Sequence, residues 1–310
     1  YIMNNGDMLN KGFSISLNGY PVKTKNFRWY MSTYYSVNLN KVQTDDARNY
    51  NLNDYLNGTA VVSGQPISTF YSYKFLGLNP QNGAPMFDDW EDRWHLLQGK
   101  TLDEVVPMIL VNSGTRDPKF SGDLNNTFTY KNWSLSLNFS YSLGSKVRLF
   151  EMYGPIINGI SAAANVREEF LDRWQVPGDE KYTVYPLIIS PSSPDYEHYR
   201  LHYSAPQRAV GPNSGVPAFA NNVWQMYDDS DLRVVSGNYL KLQSLSFSYR
   251  LNDRLLRKTP FTQLSISFNT HNCFTISAKE LRGQDPSQAG FADAGLSIRP
   301  SYTIGLNVSF

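Results

Sequence analysis

Histidines and acidic residues are the side chains that grip metals or move protons, and the sequence brings a few of them close together. His198 and His202 are four apart, with Glu197 adjacent. On a helix that spacing shares a face and could hold zinc. The order is Glu-His-x-x-x-His, not the His-Glu-x-x-His of zinc proteases, and the tyrosine-rich, proline-flanked context argues for an extended loop. Asp228, Asp229 and Asp231, and separately Asp88 and Asp89, offer oxygen ligands for calcium. The EF-hand spacing and its terminal Glu are missing, so solvated loop acids are the better reading. No Ser-His-Asp set, paired catalytic carboxylates or phosphate loop stands out, and His95 and His271 have no evident chemical partner. The expectation is no enzyme, no metal and no cofactor.

Aromatic side chains are the other candidates. Trp90, Trp94, Trp174, Tyr199, Tyr203, Trp224 and Tyr227 all fall in long connections, as does Tyr196. Their faces can stack on sugar rings or peptide side chains, or bury against a partner protein. For any single ring, packing the connections together is the preferred reading. Two short helices are expected around them. One runs 161–174, with Val166, Phe170, Leu171 and Trp174 on one face. The other runs 88–97 and is stopped by Gly99.

The elements that must position these residues are strands. The chain has 310 residues, of which 17 are Phe, 6 Trp and 21 Tyr, with 18% charged and a net charge of +1. A near-neutral balance leaves no basic footprint for nucleic acid. The lone Cys273 cannot close an internal disulfide. The longest apolar run, Val105 to Val111, contains Pro107 and falls far short of the roughly 18 residues of a membrane helix.

The dominant periodicity is two, the signature of strands. Trp133, Leu135, Leu137, Phe139, Tyr141 and Leu143 share one face, against Ser134, Ser136, Asn138, Ser140 and Ser142. Tyr302, Ile304, Leu306, Val308 and Phe310 oppose Ser301, Thr303, Gly305, Asn307 and Ser309 in the same way. The pattern predicts about seven strands, near 10–20, 27–40, 118–130, 133–146, 237–250, 261–274 and 301–310. Each is about the ~9–11 residues that cross a bilayer when tilted, or a little longer.

A soluble β-sandwich also alternates, but three features favour a membrane barrel. The polar face is Ser, Thr and Asn, whereas a solvated outer face carries charges. Connections alternate between short (21–26, 131–132, 251–260) and long (41–117, 147–236, 275–300), matching short periplasmic turns and long extracellular loops. Tyr20, Phe27, Trp29, Tyr130, Trp133, Tyr249, Phe261 and Phe310 gather at the short-turn ends as an interfacial girdle. Short turns then face the periplasm, with Phe310 at that rim. Lysines and arginines in the turns suit anionic headgroups or simply solubility.

Seven antiparallel strands cannot close an up-and-down barrel, and an open edge in hydrocarbon costs several kcal/mol per unpaired backbone group. Two further strands could hide in 41–117, where Ser68 to Phe75 is strand-like, but a pair leaves the count odd. The expectation is an all-β segment, the C-terminal part of a larger barrel whose other strands lie N-terminal or in another chain.

An ordered set of short stretches carries a resemblance. It includes Asn4-Asn5-Gly6, Ser36-Val37-Asn38-Leu39-Asn40-Lys41-Val42, Gly64-Gln65-Pro66 and Tyr73-Lys74-Phe75-Leu76-Gly77-Leu78-Asn79-Pro80-Gln81-Asn82-Gly83-Ala84-Pro85. Asp117-Pro118-Lys119-Phe120-Ser121-Gly122, Asp172-Arg173-Trp174, Ser236-Gly237-Asn238-Tyr239-Leu240 and the terminal Tyr302 to Phe310 follow. With these the chain resembles the C-terminal third of SusC/RagA-type TonB-dependent transporters of Bacteroidetes outer membranes. The resemblance implies a plugged barrel of ~22 strands. It implies active import of bulky nutrients, oligosaccharides by default and peptides as the alternative. Implied partners are a SusD-like surface lipoprotein acting as a lid, TonB through a plug region absent from these residues, the remaining barrel strands, and surrounding lipid and lipopolysaccharide. A passive porin and a scaffold barrel of a surface complex stand as the alternatives.

Overall fold

A computed structural model describes residues 7–44, 50–88, 90–156, 165–188, 192–193, 196, 214–217, 222–288 and 299–310. In chain order the strands are β1 (Met8–Lys23), β2 (Phe27–Val42), β3 (Thr69–Tyr73), β4 (Gly77–Leu78), β5 (Pro85–Met86), β6 (Leu110–Thr115) and β7 (Phe120–Tyr130). They continue with β8 (Trp133–Leu143), β9 (Lys146–Arg148), β10 (Val234–Ser236), β11 (Tyr239–Arg250), β12 (Gln263–Ser277) and β13 (Ser301–Ser309). The chain divides into two compact units. A wall unit comprises Leu9–Asn40, Asp117–Lys146 and Ser236–Phe310; a loop unit comprises Tyr1–Met8, Lys41–Arg116 and Val147–Val235.

The wall is one seven-stranded sheet in the order β1-β2-β7-β8-β11-β12-β13. Sequence neighbours are spatial neighbours, and β2 with β7, β7 with β8, β8 with β11, β11 with β12 and β12 with β13 pair antiparallel. Its connections begin with tight turns. Thr24 caps the first, its hydroxyl accepting from the Phe27 amide at 3.0 Å. Lys131 takes a left-handed φ of 51° so that Tyr130 and Trp133 can pair across two residues. The third turn holds a short helix, Asp253–Leu256, whose Asn252 cap accepts from the Arg254 amide.

Strand register converts the period of two into two chemically distinct faces. Trp29, Phe128, Leu135, Phe247, Phe268 and Ile304 form one row across six strands. Tyr30, Thr127, Ser136, Ser246, Asn269 and Thr303 form the next row, on the opposite face. Polar side chains there bond one another: Thr127 and Ser136 hydroxyls at 3.1 Å, Ser246 Oγ and Asn269 Oδ1 at 2.6 Å. The apolar face is open. Phe13, Leu17, Tyr302, Ile304 and Leu306 are all more than half exposed.

The loop unit is built the other way round, with aromatics inside. Its core gathers Tyr55, Tyr71, Tyr73, Phe87, Trp90, Tyr153, Phe170, Trp224 and Tyr227 around Leu97, Val105, Val106 and Met226. Rings meet edge-to-face, as in Tyr153 with Tyr227 at 5.4 Å and Tyr153 with Phe170 at 5.2 Å. The strand-like segment 68–75 forms β3, which pairs with β6 in a separate two-stranded sheet and adds nothing to the wall.

Two helix expectations are corrected. Within 161–174 the described residues hold only a 3-10 turn, Glu168–Asp172, between extended Arg167 and Arg173. The expected apolar face is split there: Phe170 and Trp174 are buried while Val166 and Leu171 are exposed. Segment 88–97 is also 3-10, over Glu91–Leu96, entered through a left-handed Trp90 at φ 58°. Among the described residues no helix is long and apolar enough to cross a membrane, which leaves strand crossing untouched.

Candidate functional site

The loop unit's polar organisation centres on six residues, Asp228 to Arg233. The helix Val223–Asp228, capped by Asn222, delivers Asp228 to the interior. Asp228 is 3% exposed. Its carboxylate accepts three backbone amides, from Met152, Tyr153 and Gly154, each at 2.9 Å. Asp229 faces Arg148, with Nε 4.0 Å from Oδ1. Arg148 in turn donates to the Tyr71 carbonyl at 2.8 Å and the Leu56 carbonyl at 3.1 Å. Ser230 bridges to Tyr73. Asp231 accepts from the Phe75 amide at 3.0 Å and from Lys74 Nζ at 2.6 Å. Arg233, 2% exposed, donates to the Phe150 carbonyl at 2.6 Å.

Asp231 keeps a part-exposed side chain beside an exposed Lys74, but for Asp228 and Asp229 the reading as solvated acids is corrected. Their ligands are protein donors drawn from segments far apart in sequence, which satisfy the buried charge that water would otherwise have to hold. Burial pushes the Asp228 carboxyl up to about 6, against the pull of Arg233 and the three amides. Asp229 is likewise raised to about 6 by burial, with Arg148 opposing. Among the described residues no group of three metal-ligating side chains converges.

The aromatic candidates divide. Trp90, Trp174, Trp224 and Tyr227 are 8%, 4%, 3% and 0% exposed, so their faces are spent on packing. Trp174 lies flat against Gly83, where a Cβ would run into the indole ring and φ is +66°. Its Nε1 donates to Glu180 at 3.3 Å. Trp224 stacks on Tyr196 at 6.1 Å. Tyr227 meets Phe75 and Tyr153 edge-on. The Arg93 guanidinium lies 4.3 Å over Trp90 and pairs with Asp88. Trp94 is partly buried against the same core. Tyr199, Tyr203, His198, His202 and Glu197 lie outside the described residues, and so do Asn4 to Gly6.

On the wall, Phe27, Trp29, Tyr130, Trp133, Tyr249 and Phe310 lie along the apolar face near the tight turns, and Phe261 lies just before β12. Phe27 pairs with Tyr130 and Tyr130 with Trp133. Trp133 lies 4.2 Å from the Tyr249 ring, and Phe261 meets Phe310 at 5.4 Å. Tyr20 differs: its ring lies 5.2 Å from that of Tyr30, tilted by 59°, and register places Tyr30 on the polar face. The alternation Phe13, Ile15, Leu17 already carries this parity, since Tyr20 is even-numbered. One residue was missed in the sequence. Asn126 sits on the apolar face, opposite Met31 and Leu137. The Trp29 indole N–H donates to its Oδ1 at 3.0 Å, so the buried amide is satisfied within the wall.

A seven-stranded antiparallel wall with one open apolar face and one hydrogen-bonded polar face is the class of a transmembrane β-barrel segment. No family model matches the chain. Two curated relatives from Formosa agariphila do. TonB-dependent receptor P3 is 23% identical over 338 residues, covering 100% of this chain and 29% of the relative. TonB-dependent receptor P39 is 21% identical over 364 residues, covering 99% and 31%. Among solved structures, the RagAB peptide transporter superposes with a TM-score of 0.66 at 17% identity, over 98% of this chain and 30% of that one. The RagAB peptide importer in its open-open state gives 0.62 at 18% identity, with 98% and 29% covered. In sequence and in fold, then, the chain is similar along nearly its whole length to SusC/RagA-type TonB-dependent receptors. It spans about 30% of the length of the proteins it matches.

Proposed function

We propose that this chain is part of the barrel wall and the external loops of an outer-membrane active importer of bulky nutrients. The observation that carries the reading is the wall itself. Its polar face is a ladder of Ser, Thr and Asn rows suited to a wet lumen, and its apolar face is open across the sheet. An exposed apolar surface that continuous is explained by lipid, not water. The likeness to TonB-dependent receptors adds energy coupling to the reading. The relatives are receptors and transporters by name, so the chain is a transport component and not an enzyme.

The cargo class is oligosaccharide or peptide. The partners are a SusD-like lipoprotein at the cell surface, TonB acting through a plug carried outside these residues, and the remaining strands of the barrel. The tight turns face the periplasm with Phe310, and the long connections 41–117, 147–236 and 275–300 are extracellular. On this reading Phe27, Trp29, Tyr130, Trp133, Tyr249, Phe261 and Phe310 form the periplasmic aromatic belt, where amphipathic rings settle at headgroup level. Trp90, Trp174 and Trp224 are packed, so cargo or lid contact falls first to the partly buried Trp94 and to Tyr199 and Tyr203.

The test is uptake of labelled oligosaccharides and peptides by cells carrying the full-length protein, with and without TonB. Uptake that needs both establishes the importer. Uptake that persists without TonB identifies a passive porin, and no uptake by either strain leaves the scaffold reading. External protease on intact cells tests orientation: cleavage within 147–235 is expected, and cleavage at 131–132 would reverse it.

A further inference from the structure

One charged side chain of the sheet is buried among the described residues, and its partner lies outside the sheet. Lys241, on β11, is 3% exposed. Its Nζ lies 2.9 Å from Asp285 Oδ2, with side-chain exposures of 4% and 10%. Asp285 belongs to the segment after β12, and its other oxygen accepts from Ser287 N at 2.8 Å and from Ser287 Oγ at 2.6 Å. Segment 278–288 is therefore folded back to the wall. It makes two 3-10 turns, Lys279–Leu281 and Pro286–Gln288. Between them Arg282 and Gly283 take left-handed φ of 43° and 88°. Leu281 is 1% exposed, so the segment also has an apolar anchor.

The strand is shaped to aim this lysine. Against β8, β11 carries a bulge between Leu242 and Ser244, which pair with Phe139 and Asn138; the register with β12 shifts at the same place, but there the extra residue is on β12, between Phe274 and His271. Below the bulge the even residues Ser244, Ser246 and Ser248 are polar-facing; above it the odd residues Lys241 and Tyr239 pair with the polar-facing Ser140 and Ser142. Without the extra residue, strict alternation would turn Leu240 and Leu242 to the polar face and Lys241 to the apolar one. Gln243, the inserted residue, bonds the Ser140 hydroxyl through Nε2 at 2.8 Å, which fixes the bulge in place. Bulges re-aim side chains and end regular pairing, and here the side chain re-aimed is the only one in the sheet with a buried charge.

We propose that 278–288 is a strap latched onto the polar face of the wall by the Lys241–Asp285 pair, and that the bulge at Gln243 serves this latch. The proposal rests on the transport reading for one point only, that the polar face lines the passage. A strap held there narrows the passage, and breaking the ion pair removes its charged anchor and leaves Leu281 as the apolar one. A desolvated pair suits a latch, because each charge left alone is strongly disfavoured and the closed state is therefore well defined.

The experiment is hydrogen exchange by mass spectrometry on the full-length protein in lipid nanodiscs. Lys241→Met keeps the side-chain volume and removes the charge. Exchange in peptides covering 278–288 should then speed by at least tenfold, with peptides from 263–277 unchanged. Asp285→Asn should do the same. The charge-reversed double variant, Lys241→Glu with Asp285→Lys, should recover most of the protection. Unchanged exchange of 278–288 in both single variants overturns the strap. So does acceleration that the reversed pair fails to reduce, since that marks a general packing defect. The barrel reading fails separately, if wall strands 133–143 and 301–309 exchange as freely in nanodiscs as in denaturant.

Discussion

The two units of this chain solve the same problem in opposite directions. In the loop unit, Tyr227 and Trp224 are almost wholly buried and the buried Asp228 carboxylate is met by three backbone amides. In the wall, Ile304 and Phe310 are at least four-fifths exposed, and hydroxyl and amide pairs such as Thr127–Ser136 and Ser246–Asn269 occupy the other face. A unit folded in water hides its apolar atoms, whereas one folded in lipid presents them. Both are aromatic-rich, so composition alone cannot separate them; the direction in which the rings point does.

Breaking the loop unit at its polar centre should have the largest effect. Asp228→Ala strands the amides of Met152, Tyr153 and Gly154 and leaves Arg233 without its neighbouring charge. A loss of about 3 kcal/mol or more is expected, given ~1–3 kcal/mol for each buried group left unsatisfied. Limited proteolysis within 147–235 should rise steeply, while wall insertion, read by resistance of the barrel to SDS at room temperature, persists.

Breaking the wall needs the opposite substitution. Leu245→Arg, midway along β11, places a charge on the apolar face and should cost about 2–4 kcal/mol. Ser246→Arg, one residue away on the polar face, should cost far less. Equal costs, measured by reversible unfolding in lipid, would end the distinction between the faces.

Smaller effects sharpen the comparison. Trp29→Phe keeps the ring stacked on Phe128, 5.7 Å away, and removes the donor to Asn126. A loss of about 1–3 kcal/mol is expected, with recovery in Trp29→Phe/Asn126→Leu. In the loop unit, Gly83→Ala meets the Trp174 ring at a left-handed φ and should cost about 1–3 kcal/mol, seen as a drop in loop-unit melting temperature.

Acidity should distinguish the units least, but with a defined sign. Asp228 and Asp229 rise from about 3.8 to about 6 on folding. The folded loop unit thus holds protons that the unfolded chain releases between those values. Their contribution is greatest below about pH 4 and is lost as pH rises through 6. Burial is opposed by bonding at Asp285, whose carboxyl is held below its ordinary value by Ser287 and Lys241, so Asp285 stays ionised through this window. The loop unit should melt slightly higher at pH 5.5 than at pH 7.5, and Asp228→Asn should shrink that difference.

Alternation by itself determined the wall. A period of two with Ser, Thr and Asn opposite Leu, Phe and Tyr leaves a strand one buildable orientation, and tight turns between such strands make neighbours antiparallel. It also carried the parity of Tyr20, had the count been continued from Phe13. What alternation could not show is the phase change at Gln243, because Leu240 and Leu242 read as an apolar face until the ladder reveals an extra residue. Nor could it show the partners of Asp228, since the amides it holds lie about 75 residues away in sequence. The helix expected across 161–174 failed for a related reason. Local spacing put Phe170, Leu171 and Trp174 together, but Gly83 offered Trp174 a flat backbone to cover, and that long-range contact outweighed the weak local preference for helix. Regular pattern is local and is written in the sequence. Burial of charge and the choice of which ring is covered depend on residues that meet only in the folded chain.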